Sequence, residues 1–413
     1  MSIFKHLELP NGSTIPNRIA KAAMEENMAN EYFAPSDAMI RLYETWSQGG
    51  SGLLITGNVM VDSRAMTGPG GVVLEDERQL AQFKRWAKAG RVNGNEIWMQ
   101  INHPGRQMPA ELDQETWAPS AVPVNLGSLS KHFNPPIEMT ESMINEVIQR
   151  FIRTAELAEK AGFTGVEVHA AHGYLLSQFL SPLTNQRSDH WGGSLENRAR
   201  LLLSIVTGIR EAVSPRFTLA VKINSADFQR GGFELKDAKH VILLLNKLGV
   251  DLVELSGGSY EAPAMQGESR DEHTLAREAY FLDFAREISK VAEMPLMVTG
   301  GIRRYEVAES VIKSGIQMIG IATALAIEPN LPNKWKNGNL VIPQLRTIKW
   351  KNKPLASLAY MAMVKYQFDR QSKNRSSKPN VAPLKALIWN RLTNNCQVKR
   401  YKKKWLKLSQ DYS

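Results

Sequence analysis

Cysteine is all but absent from this chain: Cys396 is the only one in 413 residues. A single thiol excludes an intrachain disulfide framework, a zinc site built on several cysteines and an iron–sulfur cluster held by four. Long apolar runs are missing too. Nothing approaches the ~20 consecutive apolar residues of a membrane span, and the start, MSIFKHLELPNG, lacks the apolar stretch of a secretory signal. A reducing, cytoplasmic setting is the expectation. No His-Glu-x-x-His is present, and no Gly-x-Gly-x-x-Gly follows the first strand-like segment. The second absence weighs against a doubly wound dinucleotide fold.

Acidic residues are scarce at one end only. From Arg346 onward 17 Lys/Arg face 2 Asp/Glu, while the rest of the chain has 34 basic and 39 acidic residues. The net charge of +10 therefore describes a mildly acidic body joined to a strongly basic tail.

The body alternates between short apolar runs and longer segments of helical period. Eight runs read as strands: Arg18–Ala23, Gly52–Asn58, Glu96–Asn102, Gly165–Ala170, Thr218–Asn224, Leu252–Gly257, Pro295–Gly301 and Met318–Thr323. Alternation of this kind calls for a parallel sheet with helical crossovers, and eight units close a (β/α)8 barrel. One helix shows the pattern well. Ile144, Val147, Ile148, Phe151, Ile152 and Ala155 recur at three and four, which makes one apolar stripe. Thr140 is placed to cap its start and Gly162 to end it in the left-handed conformation. Two connections are long, His103–Met139 and Ala171–Ser194. Both leave the C-terminal end of a strand, the face where barrel enzymes keep their active sites.

Polar residues gather at those strand ends. Side chains alternate along a strand, so Gln100 and Asn102 share a face, as do Glu167 and His169, and Lys222 and Asn224. Barrel interiors are normally filled with Val, Ile and Leu. A Gln, a Lys and two His near the mouth point to a polar ligand. His169 and His172 open the stretch HAAHGYLL. They have no third zinc ligand at motif spacing; a packing histidine bonded to a carbonyl is the alternative to a role in chemistry.

The stretch Val166–Leu202, VEVHAAHGYLLSQFLSPLTNQRSDHWGGSLENRARLL, resembles the signature of the Old Yellow Enzyme family of NADH:flavin oxidoreductases and FMN-dependent ene-reductases. NRIAKAAM (Asn17–Met24), QINHPGRQ (Gln100–Gln107), VKINSADFQRGG (Val221–Gly232), VTGGI (Val298–Ile302) and IGIATALAIEPNLP (Ile319–Pro332) follow in family order. The match spans residues 1–345, an FMN-binding TIM barrel, and leaves 346–413 as a basic, partly helical extension.

The resemblance implies FMN over the barrel's C-terminal mouth. The backbone of Ala22, Ala23 and Met24 would line one flavin edge. Gln100 would bond its pyrimidine side and Lys222 would stabilise negative charge near N1 and O2. Gly300 and Gly301 would present N–H groups to the phosphate, with Ala322 and Thr323 helping, Thr323 standing where many relatives have Arg. His169 and His172 would hold the carbonyl oxygen of an electron-poor alkene. Tyr174 would give the proton, and NADH or NADPH the electrons. Glu25 stands where well-known branches place Thr or Cys against flavin O4, and it is expected to turn to solvent. The alternatives are a flavin-binding, membrane-recruited barrel with little turnover, or another FMN barrel oxidoreductase. In the extension, Leu355–Phe368 is expected to form a helix against the body, and the basic and aromatic residues beyond it suit an anionic membrane surface or an acidic partner. On that reading the protein sits at the periphery of a membrane.

Overall fold

The computed structural model describes residues 2–264 and 278–411. Eight parallel strands form a closed barrel: β1 (Ile19–Lys21), β2 (Leu53–Ile55), β3 (Glu96–Asn102), β4 (Gly165–Ala170), β5 (Thr218–Asn224), β6 (Leu252–Ser256), β7 (Leu296–Val298) and β8 (Met318–Ile321). Each pairs in parallel with the next, and β8 pairs with β1 to close the ring. The β8–β1 pairing leaves no free edge strand in the ring. The fold is thus the (β/α)8 barrel that the alternation predicts.

Inner and outer faces separate cleanly along the strands. Outward residues such as Ile97, Met99 and Ile101 join the large core under the helices. The lower interior is apolar, with Ala20, Leu53, Trp98, Leu252 and Met297 packed together. An N-terminal hairpin, Leu7–Glu8 with Thr14–Ile15, contributes Leu7, Leu9 and Ile15 to that layer and stoppers the barrel's N-terminal end. The upper interior is polar, and it faces the C-terminal mouth. Register sets Glu167 beside Gln100, His169 beside Lys222, and Lys222 beside Glu254.

The helices lie outside: α1 (Asp37–Gln48), α2 (Leu80–Ala89), α3 (Glu141–Ala161), α4 (Leu195–Ala212), α5 (Leu235–Leu245), α6 (Leu282–Ile288), α7 (Tyr305–Lys313) and the short α8 (Thr323–Ile327). In α3, Thr140 Oγ1 accepts from Met143 N–H and Gly162 adopts φ +91°, as the sequence pattern requires. Ile144, Val147, Phe151 and Ala155 are buried against the wall, each large side chain contributing about 1.5–3 kcal/mol. Under α1 lies a charge that the strand pattern did not reveal. Lys21 points outward from β1, fully buried, and donates to Ile55 O (2.7 Å) and Tyr43 Oη (3.2 Å), with Glu26 at 3.6 Å. Burial lowers its pKa to about 8 despite Glu26.

The extension forms two helices, α9 (Lys353–Gln371) and α10 (Pro383–Asp411). Leu355–Phe368 lies within α9, as expected. Among the described residues, Trp389 and Tyr401 beyond it pack inward and do not form a free surface. Tyr401 is fully buried and donates to Ser63 O (3.1 Å), and Trp389 packs edge-on against Tyr366. No helix among the described residues is long and apolar enough to cross a membrane.

Candidate active site

β4 ends at Ala170, and the chain then turns sharply. His172 and Gly173 take successive left-handed conformations, φ 62° and 72°. For a histidine that conformation is unfavourable and must be held from outside. Asn224 Oδ1 accepts from His172 N–H at 3.0 Å, and Asn224 Nδ2 is itself fixed by Asp227 and Gly258 O. Gln107 donates to His172 O and Gln178 to Gly173 O. The turn brings the Tyr174 ring 4.9 Å from the His169 ring, edge-on, with the His172 ring 5.0 Å from His169. His169, His172 and Tyr174 therefore form one cluster.

Both histidines are neutral. Burial, helped by the Lys222 charge, holds each well below the ordinary imidazole value; His172 adds to the effect at His169. His169 Nδ1 accepts from Ala171 N–H at 3.2 Å, so its proton sits on Nε2. His172 Nε2 lies 2.7 Å from Ser256 Oγ. A neutral imidazole offers one N–H donor, and the described residues include no group of three or more His, Cys, Asp or Glu able to hold a metal ion.

Tyr174 is protonated. Burial raises its pKa well above 10, and Tyr260 and Glu25 add to the shift. Its hydroxyl lies 3.1 Å from that of Tyr260, on the segment after β6. Tyr260 is a site residue the sequence pattern did not single out; nothing local to SGGSYEAP marks it.

Beneath the cluster lies a charged layer. Lys222 Nζ is 2.7 Å from Glu254 Oε1, and Gln100 Nε2 donates to Glu167 Oε2 at 2.5 Å. Burial works against the Lys222 ammonium, but Glu254 and Glu167 outweigh it and raise its pKa. Lys222 is a fixed positive charge at the mouth. Burial, reinforced by Glu254, pushes Glu167 well above the usual carboxylate range, against the pull of Lys222.

Groups suited to a flavin phosphate stand at the ends of β7 and β8. Gly300 and Gly301 have φ +116° and +73°, and a Cβ on Gly301 would lie 2.5 Å from Tyr280 Oη. Only glycine fits there. Their N–H groups donate to no described residue, nor do those of Ala23 and Met24 across the barrel; Ala22 N–H is held by Ile321 O. Half-buried Ala322 and Thr323 face the same end. The Thr323 hydroxyl bonds Tyr360 of α9, and the Arg303 charge acts on both Tyr280 and Tyr360. Unpaired amides at two edges, with a buried lysine between them, fit FMN. Glu25 does not turn to solvent as expected. It is about a quarter exposed, accepts from Thr67 Oγ1 and lies 3.5 Å from Lys365 Nζ.

A similar architecture and related sequences recur in known proteins. A model of the NADH:flavin oxidoreductase / NADH oxidase family matches residues 2–340. An NADH-dependent flavin oxidoreductase of Hypocrea jecorina (iliE) is 37% identical over 346 residues, which cover 78% of this chain and 85% of that protein. Among solved structures, a 2-naphthoyl-CoA reductase complex superposes with a TM-score of 0.75 at 28% identity, over 82% of this chain and 52% of the other. An old yellow enzyme homologue from Zymomonas mobilis gives 0.71 at 23% identity, over 83% and 94%. The chain belongs to the NADH:flavin oxidoreductase / NADH oxidase family, and the protein is an FMN-dependent oxidoreductase that takes its electrons from a nicotinamide.

Proposed function

We propose that the protein reduces the activated C=C bond of α,β-unsaturated carbonyl compounds. The observation that carries this reading is the cluster itself: two neutral imidazoles beside a protonated, buried phenol, all on the barrel's C-terminal mouth. When bound, FMN reduced by NADH or NADPH would be the source of the hydride that reaches the β-carbon of the alkene. Negative charge then grows on the carbonyl oxygen. His169 and His172 hold that oxygen through N–H donors fixed in advance by Ala171, Asn224 and Ser256. Donors aimed at developing charge in a water-poor site are the strongest single source of rate in such reactions.

Tyr174 gives its proton to the α-carbon, and Tyr260 can pass a replacement across the 3.1 Å between the two hydroxyls. A phenol that holds its proton at neutral pH is a suitable donor to a carbon as basic as an enolate. Lys222, kept charged by Glu254 and Glu167, favours negative charge on the group bound at the mouth. Supplying NADPH or NADH without oxygen should bleach the yellow protein, and adding an enone such as 2-cyclohexenone should restore the colour with saturated ketone as product. A protein that is colourless and ignores added FMN, or one that bleaches but is never reoxidised by an enone, would contradict the reading.

A further inference from the structure

The extension reaches into the neighbourhood of this site. α9 and α10 pack on one another and lie over the loops that follow β1, β2 and β3. Gln397 Nε2 donates to Asn27 O at 2.6 Å, Tyr401 Oη to Ser63 O at 3.1 Å, and Asn394 Nδ2 to Glu111 Oε1 at 2.8 Å. A Cβ on Gly70 would lie 2.4 Å from the Gln397 amide, so this contact is close-fitting. On the inner side of α9, Lys365 donates to Asn27 Oδ1 and stands 3.5 Å from Glu25 Oε2. The two side chains are 19% and 24% exposed, sheltered enough for the pair to matter.

Glu25 follows directly on Ala23 and Met24, whose N–H groups at the mouth donate to no described residue. Its other oxygen is taken by Thr67 Oγ1. Its charge also acts on the two phenols of the cluster, Tyr174 and Tyr260, where it favours the neutral form. A carboxylate here opposes what the rest of the mouth favours, since Lys222 and the two imidazoles all welcome negative charge. Among the described residues, Lys365 is the cation within salt-bridge distance of that carboxylate.

We propose that Lys365 is a positioning residue of the active site, delivered by the C-terminal extension: it pairs with Glu25 and cancels a negative charge that would otherwise oppose electron-rich and anionic species at the mouth. The basic extension is then a wall of the catalytic chamber. One uncancelled charge near a bound anion, in a medium between protein and water, weakens binding by about fivefold.

The test uses full-length holoenzyme carrying Lys365→Met, Glu25→Gln, or both. Two properties are read: the midpoint potential of the bound flavin, and the dissociation constant of a phenolate followed by flavin absorbance. The potential depends only on FMN being bound. The phenolate readout also rests on the proposed role of His169 and His172, so failure of that role leaves the potential as an independent measure. Lys365→Met should shift the potential to a more negative value and weaken phenolate binding about fivefold. Adding Glu25→Gln should restore both towards wild type. Should Lys365→Met not fold, Glu25→Gln alone should move both properties the opposite way. Unchanged values in Lys365→Met, or no restoration by Glu25→Gln, would overturn the proposal; a merely structural lysine would not be rescued by removing the opposite charge.

Discussion

Replacing His169 by Ala should lower the rate of enone reduction by about 10²–10³-fold and leave FMN in place. The reason lies in the division of labour at the mouth. The groups suited to the flavin are backbone amides of Ala23, Met24, Gly300 and Gly301, with Lys222 and Gln100 beneath. His169 belongs to none of these sets; its Nδ1 is occupied by Ala171 N–H, and its Nε2–H is the donor left for a ligand. The loss should fall on enone turnover and on phenolate binding together, with reduction by the nicotinamide in the absence of enone changed little. Rapid-mixing measurement of the two half-reactions separates these outcomes. Unchanged enone kinetics would remove His169 from the assigned role. In the intact protein the enone step should also be flat in rate from about pH 6 to about pH 9, because the histidines titrate below that window and Tyr174 above it.

Tyr174→Phe should cost about 10²–10⁴-fold in the same step. The ring, and so its edge-on packing against His169, is retained; only the hydroxyl is lost. Substrates should still bind, so the damage belongs in kcat rather than KM. On the proposed mechanism Tyr260 cannot fully replace it, because the proton reaches carbon from the Tyr174 hydroxyl and that of Tyr260 lies 3.1 Å from it. Tyr260→Phe alone should therefore cost much less than Tyr174→Phe, and the double variant little more than Tyr174→Phe. Equal losses from the two single variants would instead assign the proton to the pair as a unit.

The barrel was legible in the sequence because its central strands are buried on both faces. Glu96–Asn102, Gly165–Ala170 and Thr218–Asn224 coincide with the observed β3, β4 and β5. Where strands are only three or four residues long, as at β1, β2 and β7, the apolar run continues into loop and the expected ends overshoot. Gln100, His169 and Lys222 were legible by alternation, since polar residues facing into a barrel are conspicuous. Tyr260 was not: it meets Tyr174 across 86 positions of chain. The same reason hid the extension. Basic residues with interspersed aromatics look alike whether solvated, laid on a membrane or folded back, and the contacts that decide, such as Tyr401 with Ser63 and Lys365 with Glu25, span more than 330 positions. Lys21 was hidden differently, by sitting at an outward position where packing predicts an apolar residue.

On this mechanism hydride and proton reach the two carbons of one double bond by separate routes, the proton through Tyr174. Isotope labelling separates the two routes. The purified protein is given 2-cyclohexenone with nicotinamide deuterated at the transferring position in H2O, and separately with unlabelled nicotinamide in D2O, and the product is read by NMR. The expected result is deuterium from the nicotinamide at the β-carbon only, and deuterium from solvent at the α-carbon only. Solvent deuterium at the β-carbon, or no saturated product from a protein that is reduced by the nicotinamide, would contradict the account.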